Sequence, residues 1–97
     1  MSIESIAQEV VEELERAEAK FGPFNSSHEG YAVILEELDE LWEVVRLSAS
    51  ELRGLAPTKT LQERKRKDMM RAEAIQVAAM AMRFIKCICD QDKSDGQ

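Results

Sequence analysis

The chain contains few of the residues that form turns: only four glycines and two prolines occur in 97 residues. This scarcity argues against a β-rich fold, which needs many turns. Aromatic residues make up only 5% of the chain, so the core must consist mainly of Leu, Ile, Val, Met and Ala, which suits helices. Hydrophobic residues still account for 44% of the sequence, and this is enough for one folded domain.

Cysteine and long apolar runs are also lacking. Cys87 and Cys89 are two positions apart on a predicted helix, so they point to different faces and cannot easily bridge each other. Without partner Cys or His ligands they do not make a zinc site, and we interpret them as small buried residues in a reducing environment. No apolar stretch reaches membrane-spanning length, and the first residues lack the pattern of a signal peptide. We therefore predict a cytoplasmic protein without a membrane partner.

The net charge of −6 is unevenly distributed along the chain. Residues 1–50 carry 12 acidic and 3 basic side chains, whereas residues 51–97 carry 7 acidic and 10 basic ones. An acidic chain is a poor candidate for nucleic-acid binding, because contacts with phosphates supply most of that affinity. We therefore predict no nucleic-acid partner. An acidic half beside a basic half instead suits a site where carboxylates hold a metal and Lys or Arg face a phosphate.

Apolar residues recur at helical spacing in three long segments, which span about residues 2–21, 27–53 and 60–90. Ser2 is placed to cap the first segment, and Gly22-Pro23 ends it. Ser26 and Glu29 have the spacing of a capping box at the start of the second. The pattern predicts an all-α bundle of three main helices, with residues 1–90 as a single domain and residues 91–97 as a flexible tail.

The third segment predicts association with further copies of the chain. Its residues 74–82 are apolar around nearly the whole circumference, and such a helix must be buried on all sides. Two other helices of one small chain are not expected to surround it. About thirty helical residues also span about 45 Å, whereas a compact chain of this size has a radius of gyration near 13 Å, roughly. We therefore expect a homodimer or homotetramer that completes the bundle.

The second segment carries carboxylates opposite its apolar stripe. The stripe consists of Tyr31, Ile34, Leu35, Leu38, Leu41, Trp42 and Val45. On a helical wheel, Glu36, Glu37 and Glu40 lie on another side, with Val33 and Val44 among them. The two valines indicate that another helix covers part of this acidic side. Carboxylates in a partly desolvated space need a compensating cation, and Mg²⁺ is the natural one. The alternative is a solvated acidic face, since Glu is a strong helix former.

The third segment offers a second half of the site. Glu73 opens its apolar part, and Gln76 follows one turn later on nearly the same side. An amide in apolar surroundings needs a buried partner. Gln76 is therefore either part of the site or an interhelical hydrogen bond that sets the register of the bundle.

The sequence around these residues is similar to that of a known protein family. The stretch 24–31, read on through residues 35–42, is similar to the MazG-like all-α nucleoside triphosphate pyrophosphohydrolases, and the resemblance extends over roughly residues 17–90. It implies a helical bundle completed by dimers or tetramers. It also implies Mg²⁺-dependent hydrolysis of a (d)NTP to a (d)NMP and pyrophosphate.

The family motif is E-E-x-x-E on one helix and E-x-x-D on a later one. Glu36, Glu37 and Glu40 match the first part, and Glu73 matches the start of the second. Gln76 stands where the family has Asp, which removes one carboxylate, although an amide oxygen still coordinates a hard cation. The departure leaves an alternative open, in which a catalytically weakened helical oligomer binds a nucleotide or a protein. A structural helical domain without a ligand is a further alternative.

The hypothesis of a pyrophosphohydrolase assigns roles to particular residues. The metal ligands are Glu36, Glu37, Glu40, Glu73 and Gln76, with Glu37 and Glu40 also in the catalytic role of orienting or deprotonating the attacking water. The candidates for binding the substrate are Asn25, His28, Trp42, Lys67, Arg71 and Arg83. For these residues the alternatives are core packing of Trp42, an exposed position of His28 in the first helical turn, and a solvated basic run. Arg83 lies in the apolar half of its helix and so needs a partner.

Overall fold

The structure is a computed structural model that describes residues 2–91 of the chain. Its helices are α1 (Ile3–Phe21), α2 (Ser27–Val45), α3 (Ala49–Leu55) and α4 (Lys59–Phe84), and a π-helical turn (Ile85–Cys89) continues α4. No strand occurs between residues 2 and 91, so the predicted all-α class is confirmed. Of the predicted flexible tail, residues 92–97 lie outside the described part.

Helix α1 begins and ends where the sequence predicts. The Ser2 hydroxyl accepts a hydrogen bond from the Ser5 backbone N–H at 3.1 Å. The helix ends at Gly22, whose φ of 72° lies in the left-handed region that glycine tolerates best. Val10, Leu14 and Ala17 are buried, since they lie three or four positions apart and so share one side of the helix.

The second predicted helix is in fact two helices, and its expected continuation to about residue 53 is wrong. Helix α2 ends at Val45, and Ser48 starts α3 with a complete capping box. The Ser48 hydroxyl accepts from the Glu51 N–H at 3.1 Å, and the Glu51 carboxylate accepts from the Ser48 N–H at 3.0 Å. These bonds satisfy two backbone donors at the start of α3, which favours a new helix at Ser48.

The start of α2 has only half of its predicted capping box. The Ser26 hydroxyl accepts a hydrogen bond from the Glu29 N–H at 3.0 Å, as expected. The Glu29 carboxylate does not return the bond to Ser26 but accepts from the backbone N–H of Asn25 at 2.7 Å and from its side-chain amide at 3.2 Å. Glu29 therefore fixes the loop that joins α1 to α2.

Helix α4 is the central element, because α1, α2 and α3 each pack against it. The core lies where α1 and the π-helical turn meet α4, and its buried residues are Val10, Leu14, Ala17, Phe24, Ala79, Met80 and Cys87. Gly30 allows α2 to approach α4 closely. A Cβ at this position would lie 2.6 Å from the Phe84 ring.

The described chain is elongated, with extents of 56 × 29 × 19 Å and a radius of gyration of 16.4 Å. A compact chain of this length is expected near 13 Å, roughly. Many large apolar side chains also remain exposed, including Ile3, Tyr31, Leu38, Trp42 and Ile85. One chain therefore leaves much of its apolar surface uncovered.

The two cysteines differ in their surroundings. Both thiols are free, but Cys87 is buried and Cys89 is exposed. The interpretation of both as buried residues is therefore wrong for Cys89, because the side chains two positions apart point in different directions. None of the helices between residues 2 and 91 combines the length and apolar character that crossing a membrane requires.

Candidate functional site

Helix α2 packs against α4 mainly with the side that carries Val33, Glu37 and Val44, and Ile34 and Leu41 of the apolar stripe are also partly buried. Gly30 and Val44 are buried, and Val33 and Glu37 are partly buried. On a helical wheel these four positions share one side, with Glu37 near its centre. The exposed residues of α2 include most of the apolar stripe, namely Tyr31, Leu35, Leu38, Trp42 and Val45. The partial covering inferred from Val33 and Val44 therefore agrees with the structure, whereas core packing of Trp42 within this chain does not occur.

Three carboxylates meet between α2 and α4. One oxygen from each of Glu37, Glu40 and Glu73 lies within 4.8 Å of the other two. Glu37 and Glu40 are three positions apart and so share one side of α2, while Glu73 comes from α4. Glu37 and Glu73 are partly buried and Glu40 is exposed. We call this group the carboxylate cluster.

The electrostatics of the carboxylate cluster are unfavourable when all three groups are ionised. Burial raises the pKa of Glu37 to about 7, with further contributions from the charge and hydrogen bond of Glu40 and from the charges of Glu73 and Glu36. Burial also raises the pKa of Glu73, and Glu40 adds to this rise. None of the ion pairs within residues 2–91 involves these glutamates. The cluster therefore lacks a cationic side chain that would neutralise it.

Of the two remaining predicted ligands, Glu36 lies outside the carboxylate cluster, and Gln76 lines the same cavity as Glu37. Glu36 is exposed and acts on Glu37 through its charge. Gln76 lies close to the carboxylate of Glu13 on α1 and contributes to the lowered pKa of that group. Both residues also line the same cavity. The role of Gln76 as a metal ligand therefore stays a prediction.

Glu13 is a site residue that the sequence analysis missed. Burial opposes the ionisation of Glu13, but hydrogen bonds from Arg16 and Gln76 outweigh it and lower the pKa of the carboxyl group. The position of Glu13 in the sequence could have indicated that its carboxylate faces the interior. It follows Val10 by three residues and precedes Ala17 by four, which places it on the buried side of α1.

A cavity of about 620 Å³ adjoins the carboxylate cluster. It lies between α1, the loop that follows it, α2 and α4. Glu36, Glu37 and Gln76 line one part of the cavity, and Lys20 and Arg83 also line it. The cavity therefore has both acidic and cationic walls, and it connects the cluster to residues near the end of α1.

Two of the predicted substrate-binding residues line this cavity. Asn25 lies in the loop between α1 and α2. Arg83 is buried, and its guanidinium donates to the Gly22 carbonyl oxygen at 2.7 Å and stacks on the ring of Phe24 at 4.0 Å. Arg83 therefore has a defined position at the cavity wall.

The other four predicted substrate-binding residues do not line this cavity. His28 is exposed in the first turn of α2, and Trp42 lies on the exposed apolar stripe. Lys67 lines a separate, shallow depression on α4. Arg71 forms an ion pair with Glu9 of α1, with one hydrogen bond of 2.8 Å. The structure of one chain thus brings none of these side chains to the acidic wall.

Comparisons of this chain with models of protein families, with curated proteins and with solved structures find no match. The resemblance to MazG-like hydrolases therefore depends on the motif residues alone.

Proposed function

We propose that this chain is a Mg²⁺-dependent nucleoside triphosphate pyrophosphohydrolase, which converts a (d)NTP to a (d)NMP and pyrophosphate. The observation that supports this proposal best is the meeting of Glu37, Glu40 and Glu73 within 4.8 Å beside a cavity. These residues belong to the two motif halves on which the resemblance to MazG-like enzymes rests.

The donor set fits magnesium. Mg²⁺ prefers oxygen ligands and is commonly held by one or two carboxylates together with waters and substrate phosphates. Three carboxylates that form no ion pair with a Lys or Arg of residues 2–91 also require a cation if all are to ionise in a partly buried position. Glu37, Glu40 and Glu73 would hold the ion, and Glu36 and the Gln76 oxygen lie nearby. The ion would supply charge neutralisation to the triphosphate.

The glutamates would also handle the attacking water. Glu37 or Glu40 orients the water and accepts its proton, while the water oxygen forms a new bond to the α-phosphorus of the nucleotide. The bond between the α-phosphate and the pyrophosphate group breaks, and pyrophosphate leaves. A carboxylate within hydrogen-bond reach of the water is the geometric requirement for this step.

The direct test is an assay of pyrophosphate release from a panel of ribonucleoside and deoxyribonucleoside triphosphates with MgCl₂. We expect Glu40→Gln to lower turnover by about a hundredfold or more, since it removes one ionised ligand and one candidate base. Glu43→Gln is the matched control, because Glu43 lies on the same helix but pairs with Arg46 away from the cluster. Equal turnover in Glu40→Gln and wild type would refute the proposed site.

Gln76 favours a second candidate function. It stands where the family motif has a carboxylate, and its amide lies close to Glu13 of α1. A site with one carboxylate fewer than the family motif suits a helical oligomer that binds a nucleotide or a protein with little turnover. If the natural chain releases no pyrophosphate and Gln76→Asp does, this second function is the correct one. Turnover by the natural chain excludes it.

We further propose that a second copy of the chain covers the apolar stripe of α2. Five large side chains of this stripe are exposed, and Trp42 is exposed by 57%. Contiguous exposed apolar patches typically mark interaction sites, and the elongated chain leaves α2 without a partner on this side. Sedimentation equilibrium should show a dimer or tetramer for wild type and a smaller species for Leu38→Glu. Ile3→Glu, at an exposed position on α1, is the control. If the wild-type protein sediments as a monomer, the proposed self-association through α2 is wrong.

A further inference from the structure

Arg83 is a buried cation whose partners are all neutral. The residue is only 4% exposed. One terminal nitrogen donates to the Gly22 carbonyl oxygen at 2.7 Å, and the other contacts the Met80 sulfur at 3.6 Å. The ring of Phe24 covers the guanidinium at 4.0 Å. The Nε–H is buried and has no hydrogen-bond partner.

This arrangement leaves a positive charge without an anion. None of the ion pairs within residues 2–91 involves Arg83. A guanidinium has five N–H donors, and the two contacts described above leave most of them unused. Burying an unpaired charge is costly, and contact with an aromatic ring offsets only part of the cost. A ligand that brings a negative oxygen to this wall of the cavity would therefore bind favourably.

A second cation lines the same cavity. The Lys20 ammonium lies 5.1 Å from the centre of the Phe21 ring and forms no ion pair within the described residues. The guanidinium of Arg83 lies 6.0 Å from the same ring. Arg16 also lines the cavity, but its charge is already compensated by Glu13 at 2.5 Å. Lys20 and Arg83 are thus the two uncompensated cations of the cavity wall.

Glu18 on α1 and Glu29 on α2 bond to groups other than Lys20 and Arg83. Glu18 accepts a hydrogen bond from Lys86 at 2.8 Å, and Glu29 accepts from Asn25. The carboxylate cluster is also far away along α4. Glu73 and Arg83 are ten residues apart on this helix, which corresponds to about 15 Å along its axis. The cationic wall is therefore separate from the carboxylate cluster.

We infer that Arg83 and Lys20 form an anion subsite at the end of the cavity, which binds a phosphate group. Arginine recognises phosphate through several parallel N–H donors, and lysine adds a point charge. The two sources of such a group are free inorganic phosphate and the phosphate of a nucleotide. The inference goes beyond the proposed function, because this subsite needs neither magnesium nor turnover.

Isothermal titration calorimetry with sodium phosphate tests the subsite, in a buffer that contains EDTA and with sodium chloride at matched ionic strength as the blank. Wild type should bind phosphate, and Arg83→Met should weaken the binding by about tenfold or more, the usual value of a charged hydrogen bond. Lys20→Gln should also weaken it. Lys59→Gln, which removes an exposed lysine on the far side of the chain, should leave it unchanged.

Three results of these titrations would overturn the inference. They are an absence of phosphate binding by wild type, wild-type affinity in Lys20→Gln, and wild-type affinity in a folded Arg83→Met variant. Because Lys20 is exposed, its variant decides the matter even if Arg83→Met fails to fold. Titration with a nucleoside and with its monophosphate distinguishes the two phosphate sources, since only a nucleotide site binds the monophosphate more tightly than free phosphate.

The phosphate subsite and the proposed hydrolase activity are refuted by different results. Glu37→Gln should not weaken phosphate binding in EDTA, because Glu37 belongs to the carboxylate cluster and adds no favourable contact to an anion. A loss of phosphate binding in Glu37→Gln would place the anion at the cluster and overturn the subsite. Pyrophosphate release with no phosphate binding in EDTA would leave the hydrolase proposal intact while rejecting the subsite.

Discussion

Replacing Glu37 with glutamine should make the protein more stable at about pH 8 while leaving its stability at acidic pH nearly unchanged. Burial and the neighbouring glutamates raise the pKa of Glu37 from 4.5 to about 7. Between these two values the folded state binds more protons than the unfolded state. The stability from this group is therefore fully present below pH 4.5 and is lost as the pH rises through about 7.

The expected magnitude follows from the size of the shift. A rise from 4.5 to about 7 corresponds to at most about 3 kcal/mol, at about 1.36 kcal/mol per pKa unit. Glu37 is only partly buried, so solvent screens part of the repulsion, and we expect about 1–2 kcal/mol. Wild type should lose this amount of unfolding free energy between about pH 5 and about pH 8 in metal-free buffer, and Glu37→Gln should not.

Urea denaturation followed by circular dichroism at a fixed protein concentration measures this effect, with EDTA present at every pH. Asp39→Asn is the matched control, because Asp39 lies on the same helix, is exposed and stands outside the carboxylate cluster. The control should follow the wild-type curve. The account of the cluster fails if wild-type stability rises with pH over this range, or if Glu37→Gln shows the same loss as wild type.

Four further substitutions test the packing of the chain by thermal unfolding. Gly30→Ala should destabilise the protein by about 1–3 kcal/mol, because its Cβ would lie 2.6 Å from the Phe84 ring; no change in melting temperature would contradict the close approach of α2 and α4. Gly54→Ala, whose Cβ meets nothing within 4 Å, should instead stabilise it by about 0.5–1 kcal/mol; a loss of stability would be the contrary result. Leu14→Ala should lower the free energy of unfolding by about 2–4 kcal/mol. Ile3→Ala, at a site that is 77% exposed, should lower it by less than about 0.5 kcal/mol. Equal effects of the two substitutions would contradict the assigned core.

The sequence predicted α1 well because its signals agree with one another. The Ser2 cap, the stop at Gly22 and the spacing of Val10, Leu14 and Ala17 all specify one helix with one buried side, and the structure has that helix. Local signals suffice where capping, turn chemistry and periodicity point to the same element.

The orientation of α2 was harder to predict. A helical wheel gives the angle between the apolar stripe and the acidic side but does not say which one faces α4. Val33 and Val44 signalled that the acidic side is partly covered, and Gly30 allows the close contact with Phe84. Most of the apolar stripe, including Leu38 and Trp42, stays exposed in one chain, whereas Ile34 packs against the core. That outcome depends on tertiary packing and on any further copy of the chain, which periodicity does not encode.

The candidate site was predictable in part. Glu37, Glu40 and Glu73 meet as the motif spacing suggests, because helices that pack side by side bring residues at matching heights together. The end of α2 and the start of α3 were missed because Ser48 and Glu51 form a capping box within a segment that also fits one continuous helix. Glu13 was missed because a single acidic residue on the buried side of α1 gives only a weak signal.

Calorimetric titration of Mg²⁺ tests most directly whether the three glutamates of the carboxylate cluster together bind a cation. The titration is done at about pH 7 in two buffers that differ in ionisation enthalpy. The raised pKa of Glu37 means that a bound cation displaces protons from the cluster. We predict Mg²⁺ binding with a heat that differs between the buffers, and loss of that binding in both Glu37→Gln and Glu73→Gln. No Mg²⁺ binding by wild type, or binding that survives both substitutions, would contradict the account.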